Sequence, residues 1–424
     1  MSKTWGGTNS NTWRRPMPAC ARSRITVTTL GGWCAQTMTT TRLAALGHEE
    51  PTLLPLAQRL LAVAEAGLPS MLLPGGENFA FTMAAQASPG GWSLERRGTS
   101  TRYAAITALG VRFLPEDRQR AVLAGRTAEE FAGLLVESLP GVTNLGDAAL
   151  IAWAAAETGH PKLSDALARV AELDDDSRPQ YTVEAAWVLS ALAAARGSVD
   201  VENRFTTARD RLLRARIGDS PLFPHATGPG LVPWYRAHVS CFADQTYPLQ
   251  ALARAHASGD GDPQALAASE ACAARICELQ GDGGQWWWHY DARTGGVVEG
   301  YPVYSVHQHA MAPTALFDLA DAGGTDFGAA IRKGLRWMTE VPELAAAPEG
   351  PEEMILDELG VTWRKVYRGD PKKSVRAARG ASTRVASGLR LKSLDRVFRP
   401  VSVDRECRPY EFGWMLFAWL GGRI

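Results

Sequence analysis

The chain has 424 residues, enough for one large domain or two ordinary ones, and its 46% hydrophobic and 21% charged residues are the balance of a soluble globular protein. Its 45 Lys and Arg equal its 45 Asp and Glu, so whole-chain charge points to no partner and no nucleic acid is expected. No continuous apolar stretch reaches the roughly 18 residues of a membrane span. The cysteines (Cys20, Cys34, Cys241, Cys272, Cys277, Cys407) show neither CxxC spacing nor a nearby His pair, so reduced thiols in a cytoplasmic protein are expected.

Residues 1–45 are rich in Thr, Ser and Gly with scattered Trp and contain no apolar signal-peptide core. They are expected to be disordered or to precede the native start. From about residue 50 two kinds of helix alternate. One kind carries a charged face: Glu116–Glu137, Lys162–Leu173, Val201–Arg216, Pro263–Leu279 and Phe327–Val341. The other is Ala/Leu-rich and almost free of charge beyond its first turn: Tyr103–Leu109, Asp147–Ala156, Val183–Ala194, Pro248–Ala255, Pro313–Leu319 and Tyr410–Leu420. A helix apolar all round is buried on all sides, whereas a helix with a charged face lies outside. The alternation predicts an all-α (α/α)6 toroid over 46–345, closed by a last inner helix in 401–424, with short β-hairpins at one mouth. Trp286–Tyr304 reads as such a hairpin, turning at Ala292–Gly295, and Leu222–Val239 as a similar ribbon.

The segment 346–400 interrupts this spacing. Its stretch 361–399 holds twelve Lys or Arg against Asp370 and Asp395. An exposed basic insertion is expected there, or contact with anionic lipid headgroups, diphosphate or an acidic polymer, which leaves a membrane-associated location open.

The inner-helix starts share one rim of such a toroid. Standing there are Ser100, Thr101, Arg102 and Tyr103; Asp147; Thr182 and Glu184; Asp244 and Gln245; His307, Gln308 and His309; and Arg408, Tyr410 and Glu411. Asp244-x-x-x-Pro248 parallels His309-x-x-x-Pro313, with each proline suited to a first turn. Acids at these positions also serve as caps, but cations there oppose the helix dipole and require pairing or a ligand. The expected acid–base residues are Asp244, His309, His307, Glu184, Asp147 and Glu411. Expected substrate contacts are Arg102, Tyr103, Trp287, Trp288, Tyr304, Arg408 and Tyr410. His307-x-His309 could seat a metal, but no ligand spacing such as HExxH occurs. Neither a metal nor a cofactor is expected.

Two junctions carry the same phrase, Gln-x-x-x-Gly-x-Trp, at Gln86–Trp92 and Gln280–Trp286. They resemble the QW-type repeats of the squalene cyclase, terpenoid cyclase and protein prenyltransferase superfamily. That resemblance implies the toroid, with Gln and Trp as staples on outer helices, and an enzyme acting on an isoprenoid. The catalytic motifs of that superfamily are not matched. Asp-x-Asp-Asp and DDxxD are absent, Glu172–Asp176 ends an outer helix, and Asp404 and Cys407 have the wrong spacing for the zinc site. A carbohydrate-active toroid (hydrolase, lyase or epimerase) is the alternative, with Arg102 and Arg408 able to hold a uronate carboxylate. A non-catalytic binding scaffold is a third reading. A closed pocket lined by Trp153, Trp187 and Phe242 would favour isoprenoids, and an open groove with acids would favour glycans.

Overall fold

The computed structural model describes residues 42–422 apart from 90, 348, 349, 399 and 400. The expectation for residues 1–41 therefore lies outside the described residues, while Arg42 already starts a helix. In chain order, α1 (Arg42–Glu49) and α2 (Leu54–Met71) lead to the hairpin β1 (Thr82–Ser88) and β2 (Gly91–Arg97). Helices α3 (Thr101–Val111), α4 (Glu116–Val122), α5 (Ala128–Ser138), α6 (Leu145–Thr158), α7 (Leu163–Leu173), α8 (Thr182–Ala195) and α9 (Glu202–Ala215) follow. Then come β3 (Val239–Cys241), α10 (Ala243–Ala257), α11 (Pro263–Glu278), β4 (His289–Asp291), β5 (Gly296–Glu299) and β6 (Val303–Tyr304). A π turn at His307–Met311 opens α12 (Ala312–Asp321), and α13 (Gly328–Glu340) follows. The last third holds β7 (Ile355–Leu356), β8 (Val361–Thr362), β9 (Lys365–Arg368), α14 (Lys372–Val385), α15 (Lys392–Val397), β10 (Val401–Asp404), β11 (Glu406–Cys407) and α16 (Pro409–Leu420).

The apolar helices form a closed inner ring. Helix α3 packs on α6, α6 on α8, α8 on α10 and α10 on α12; α12 and its π turn pack on α16, and α16 returns to α3. The striped helices lie outside: α5 against α3 and α6, α7 against α6, α9 against α8, α11 against α10 and α13 against α12. The sixth outer helix is α2, which packs against α16. Local chemistry sets the boundaries. Asn144 caps α6 by accepting from Asp147 N at 3.0 Å, and Gly159 ends it with φ +69°. Thr127 and Glu130 form a capping box at α5. The single outer helix expected over Glu116–Glu137 is two, because Ala124 and Gly125 both take positive φ between α4 and α5.

The ring closes on glycine. A Cβ on Gly110 of α3 would lie 2.0 Å from the Gly413 carbonyl oxygen of α16, and one on Gly413 would lie 2.6 Å from the Ile106 oxygen. Gly413→Ala is therefore expected to cost about 2 kcal/mol or more by forcing the two backbones apart. Chemical denaturation would show it as a lowered midpoint, and an unchanged midpoint would refute the close approach.

Aromatic side chains fill the interior of the ring. Trp153 is wholly buried, 5.6 Å from Trp414 and 6.0 Å from Phe417 between ring centroids. Trp187 is buried 5.1 Å from Tyr247, whose hydroxyl accepts from Trp414 Nε1 at 2.9 Å. Phe242 is likewise buried, against Trp286 and His307. These residues pack on one another instead of lining an open apolar chamber.

The two ends of the ring differ. At the C-terminal ends of the inner helices lies a cavity of about 360 Å³, lined by a web of ion pairs. Arg254 pairs with Glu157 and, at 3.5 Å, with Asp318; Arg112 meets Glu157 at 2.6 Å. Arg42 joins Asp318 and, at 2.7 Å, Asp321. The N-terminal ends of the inner helices carry the β structure. Strands β3, β4 and β5 form one sheet, with the hairpin turning at residues 292–295. Leu222–Val239, expected as a ribbon of its own, is mostly loop and contributes only the start of β3.

Candidate active site

The first cluster at the N-terminal rim joins α3, α6 and α8. Arg102 Nε donates to Asp147 Oδ1 at 2.7 Å, and its Nη2 donates to Asn144 Oδ1 at 2.9 Å. Asn144 Nδ2 donates in turn to Glu184 Oε1 at 2.9 Å, and Arg102 Nη2 lies 3.9 Å from the same oxygen. The guanidinium also stands over the Trp187 ring at 5.0 Å. A cation at a helix start is thus matched by two carboxylates, which offsets the unfavourable dipole. The side chains of Arg102, Asp147 and Glu184 remain 33%, 26% and 16% exposed, so the cluster faces outward.

The second cluster joins α8 and α10 through the loop before β3. His225 Nδ1 donates to Asp244 Oδ2 at 2.8 Å, and that oxygen also accepts from Cys241 N at 2.6 Å. Asp244 is fully buried with Oδ1 unpartnered, whereas the imidazole is 34% exposed. The backbone fixes the ring in place, because Thr182 N at the start of α8 donates to His225 O at 3.1 Å. The Asp244 charge raises the His225 pKa above 6.5 against the opposing effect of burial. An imidazole held by a buried carboxylate at Nδ1 and open at Nε2 is a proton donor and acceptor near neutral pH.

Among the described residues, His225, Cys241 and Asp244 form a group with ligand atoms within 4.8 Å of one another. The hydrogen bond between His225 and Asp244 uses Nδ1 and Oδ2, and Asp244 Oδ1 has no partner. Burial first, and then Asp244 beside it, pushes the Cys241 thiol well up. His225 and Asp244 within this group have the form of an acid–base pair.

The third cluster lies at α16. Tyr103 and Tyr410 stack at 4.6 Å, and Arg408 Nη1 donates to the Tyr103 hydroxyl at 3.0 Å. Glu411 is fully buried, with neither carboxyl oxygen hydrogen-bonded. Burial raises its pKa to about 8, although Arg364, Arg408 and Lys365 oppose the shift. Arg364 Nε stands 3.9 Å from Glu411 Oε1. An acid with a raised folded pKa holds a proton that the unfolded chain releases, so stability declines as pH climbs from about 4.5 to about 8. Glu411→Gln removes that slope. Its melting temperature relative to the parent is expected to rise across this window, and parallel melting curves at every pH would count against a neutral Glu411.

The remaining expected site residues are placed as follows. His307 and His309 are buried and lie in the π turn before α12. Burial lowers both pKa values to about 3, and neither ring nitrogen of His309 has a partner. His309 is thus not brought to the rim beside Asp244; the π turn sets it into the core, where its carbonyl accepts from Trp419 Nε1 at 2.8 Å. Trp288 and Tyr304 lie 5.8 Å apart at the mouth, with Arg364 over Tyr304 at 5.1 Å. Trp287 is held by its Nε1 bond to Leu279 O at 2.6 Å.

Arg364 and Lys365 also correct the picture of a wholly exposed basic insertion. Strand β9 pairs with β6 and β10, which turns Lys365 onto Asp404 and sets Arg364 near Asp404, Glu406 and Glu411. His225, Asn144 and Arg364 also stand in these clusters and were not among the residues expected there. The first lies in an irregular loop, the second reads as a plain cap, and the third sits in a basic run.

The two Gln-x-x-x-Gly-x-Trp phrases separate. Gln280 Nε2 donates to Gly284 O at 2.9 Å and to Ala330 O of α13 at 3.0 Å, and Trp286 is fully buried. That phrase ties an outer helix. Gln86–Trp92 instead spans the exposed β1–β2 hairpin, with Ala87 opposite Trp92 and Gln86 bonded to Glu95 at 2.7 Å. Pro-Gly-Gly in that phrase is a turn signal, and the hairpin explains it better than a helix staple does.

No helix among the described residues is long and apolar enough to cross a membrane. No protein family matches the chain by sequence, and no characterised protein does. Solved structures do share its fold. An unsaturated glucuronyl hydrolase from Bacillus sp. GL1, described as responsible for the degradation of glycosaminoglycan, is 12% identical over 86% of this chain and 94% of its own, with a TM-score of 0.52. A possible GH105 family member from Klebsiella pneumoniae is 11% identical over 86% of this chain and 92% of its own, at 0.50. A corresponding protein from Salmonella enterica is 10% identical over the same shares, at 0.50. The expected kinship with terpenoid and squalene cyclases is thereby corrected: this chain has the α/α-toroid fold seen in unsaturated glucuronyl hydrolase and its structural relatives.

Proposed function

We propose that the chain is a carbohydrate-active enzyme that cleaves a glycosidic bond beside an acidic sugar, by acid–base chemistry at the N-terminal rim. The observation that carries this reading is the His225–Asp244 pair, buried on its carboxylate side and open on its imidazole side, next to the Arg102–Asp147–Asn144–Glu184 web. In the proposed reaction, His225 donates a proton from Nε2 to the leaving oxygen, and the C–O bond breaks. Glu184, held by one oxygen, takes a proton from the water that adds to the sugar. The Arg102 and Arg408 guanidiniums supply planar donors for a uronate carboxylate. The fold shared with proteins named for glucuronyl hydrolysis supports the choice of substrate class. The packed interior, with Trp153 and Phe242 inaccessible, offers little room for an isoprenoid.

The test is incubation with uronate-terminated and neutral oligosaccharides, with products read by mass spectrometry. Cleavage of the acidic set is expected, with a weaker response to the neutral set. Turnover of neither set would overturn the reading. Asp244→Asn provides a pH test. The raised His225 pKa keeps the imidazolium populated to higher pH, and the acid is lost as pH passes through that value. Removing the Asp244 charge lowers that pKa, so the alkaline limb of the kcat/KM profile should move to lower pH. An unmoved limb would exclude His225 as the acid.

A further inference from the structure

Beside the mouth hairpin lies a cleft of about 600 Å³. Arg368, Arg379, Arg390, Lys392 and Arg396 line it together with Glu278, and Asp370 lies near Arg368 and Arg379. Arg275 already engages Glu278 at 2.5 Å. Arg390, Lys392 and Arg396 are exposed and have no carboxylate partner among the described residues. The floor is Trp287, whose ring is fixed by its bond to Leu279 O. Gly281 and Gly300 leave room for that ring, since a Cβ on either would meet it at 2.7 or 3.3 Å.

From this cleft a ladder of cation–aromatic pairs runs along the mouth to the rim. Arg368 stands over Tyr301 at 4.0 Å, Arg376 over Trp288 at 4.0 Å and Arg364 over Tyr304 at 5.1 Å. Arg408 over Phe81 at 4.2 Å completes it beside Tyr103. A guanidinium stacked on a ring directs its N–H donors along the plane of the ring, the geometry that suits carboxylate or sulfate, while aromatic faces accept sugar rings. Alternation of the two along one path suits a polymer in which acidic groups and pyranose rings alternate. Five cations of a chain with no net charge line this one cleft.

We propose that this cleft is a distal binding site for an acidic polysaccharide carrying carboxylate or sulfate groups, and that the ladder leads that chain to the rim. The inference deepens the acidic-glycan reading given above and rests on it for the identity of the polymer. Its test is equilibrium binding, which needs no turnover, so failure of the catalytic reading leaves the result interpretable. The probes are polygalacturonate, heparin and neutral dextran, with duplex DNA and vesicles rich in phosphatidylserine as competing polyanionic surfaces.

Parent protein is expected to bind the two acidic polysaccharides and not dextran. The triple variant Arg390→Glu, Lys392→Glu, Arg396→Glu should bind them about tenfold more weakly or worse, with an unchanged melting temperature. A charge-matched control, Arg120→Glu, Lys162→Glu, Arg178→Glu, should retain parental affinity. Equal weakening in both variants would show a whole-chain charge effect and overturn the proposal. So would DNA or vesicles binding as tightly as the acidic glycans, or no acidic polysaccharide binding at all.

Discussion

His225→Gln is expected to lower kcat on a cleaved acidic oligosaccharide by about a hundredfold or more, because general acid–base groups contribute rate factors of that order. The fold should not change. The imidazole is 34% exposed, its ring lies 5.3 Å from the half-open Tyr181, and the hydrogen bond from Thr182 N uses its backbone oxygen, which the variant keeps. Glutamine can still donate to Asp244 Oδ2, so the buried carboxylate is not left without a partner. Kinetics and a thermal melt on the same preparation decide the matter. A kcat within twofold of the parent would remove His225 from the reaction. His309→Gln makes the contrast, since its ring is wholly buried and without a polar partner. A loss of melting temperature is expected there.

The second large effect is structural. Asp318→Ala is expected to destabilise the protein by about 3 kcal/mol or more, because it removes the buried anion on which Arg42 and Arg254 converge. Asp318 is fully buried and also accepts from Gln250 Nε2 at 2.9 Å. Arg42 retains Asp321 and Arg254 retains Glu157, yet two guanidiniums would then share a pocket with one fewer negative charge. Urea denaturation would report the change, and a shift under about 1 kcal/mol would show that the pair contributes no more than a surface bridge.

Both predictions depend on the concentric helices, and those were legible in the sequence for a physical reason. A helix such as Thr182–Ala195 shows no polar face beyond Glu184 because neighbours cover it on every side. Its striped partners, such as Gly328–Glu340, face solvent on one side only. Helix α2 escaped the outer set because Arg59 and Glu65 are its only charged residues. The hairpin at 289–299 was legible from its turn residues, whereas Gln86–Trp92 misled because Pro-Gly-Gly suits a helix junction and a two-strand turn equally.

The site was harder to read. Polar side chains at the starts of apolar helices single out Arg102, Asp147, Glu184 and Asp244. A loop residue such as His225 carries no periodicity and declares itself only once Thr182 fixes its backbone. The π turn is the reverse case: His309 parallels Asp244 in sequence, yet it lies in a π turn with its ring fully buried and without a polar partner. Within the basic run, strand pairing decides which cations turn toward acids, and pairing is a long-range property.

The glycine contact between α3 and α16 joins helices from opposite ends of the described chain. Without α16, α3 would have an open seam and Trp153 would lose its partner Trp414. The ring therefore closes only through α16, which packs on α3 and on α12. An arc of five inner helices without that keystone would present the apolar surface that chaperones recognise.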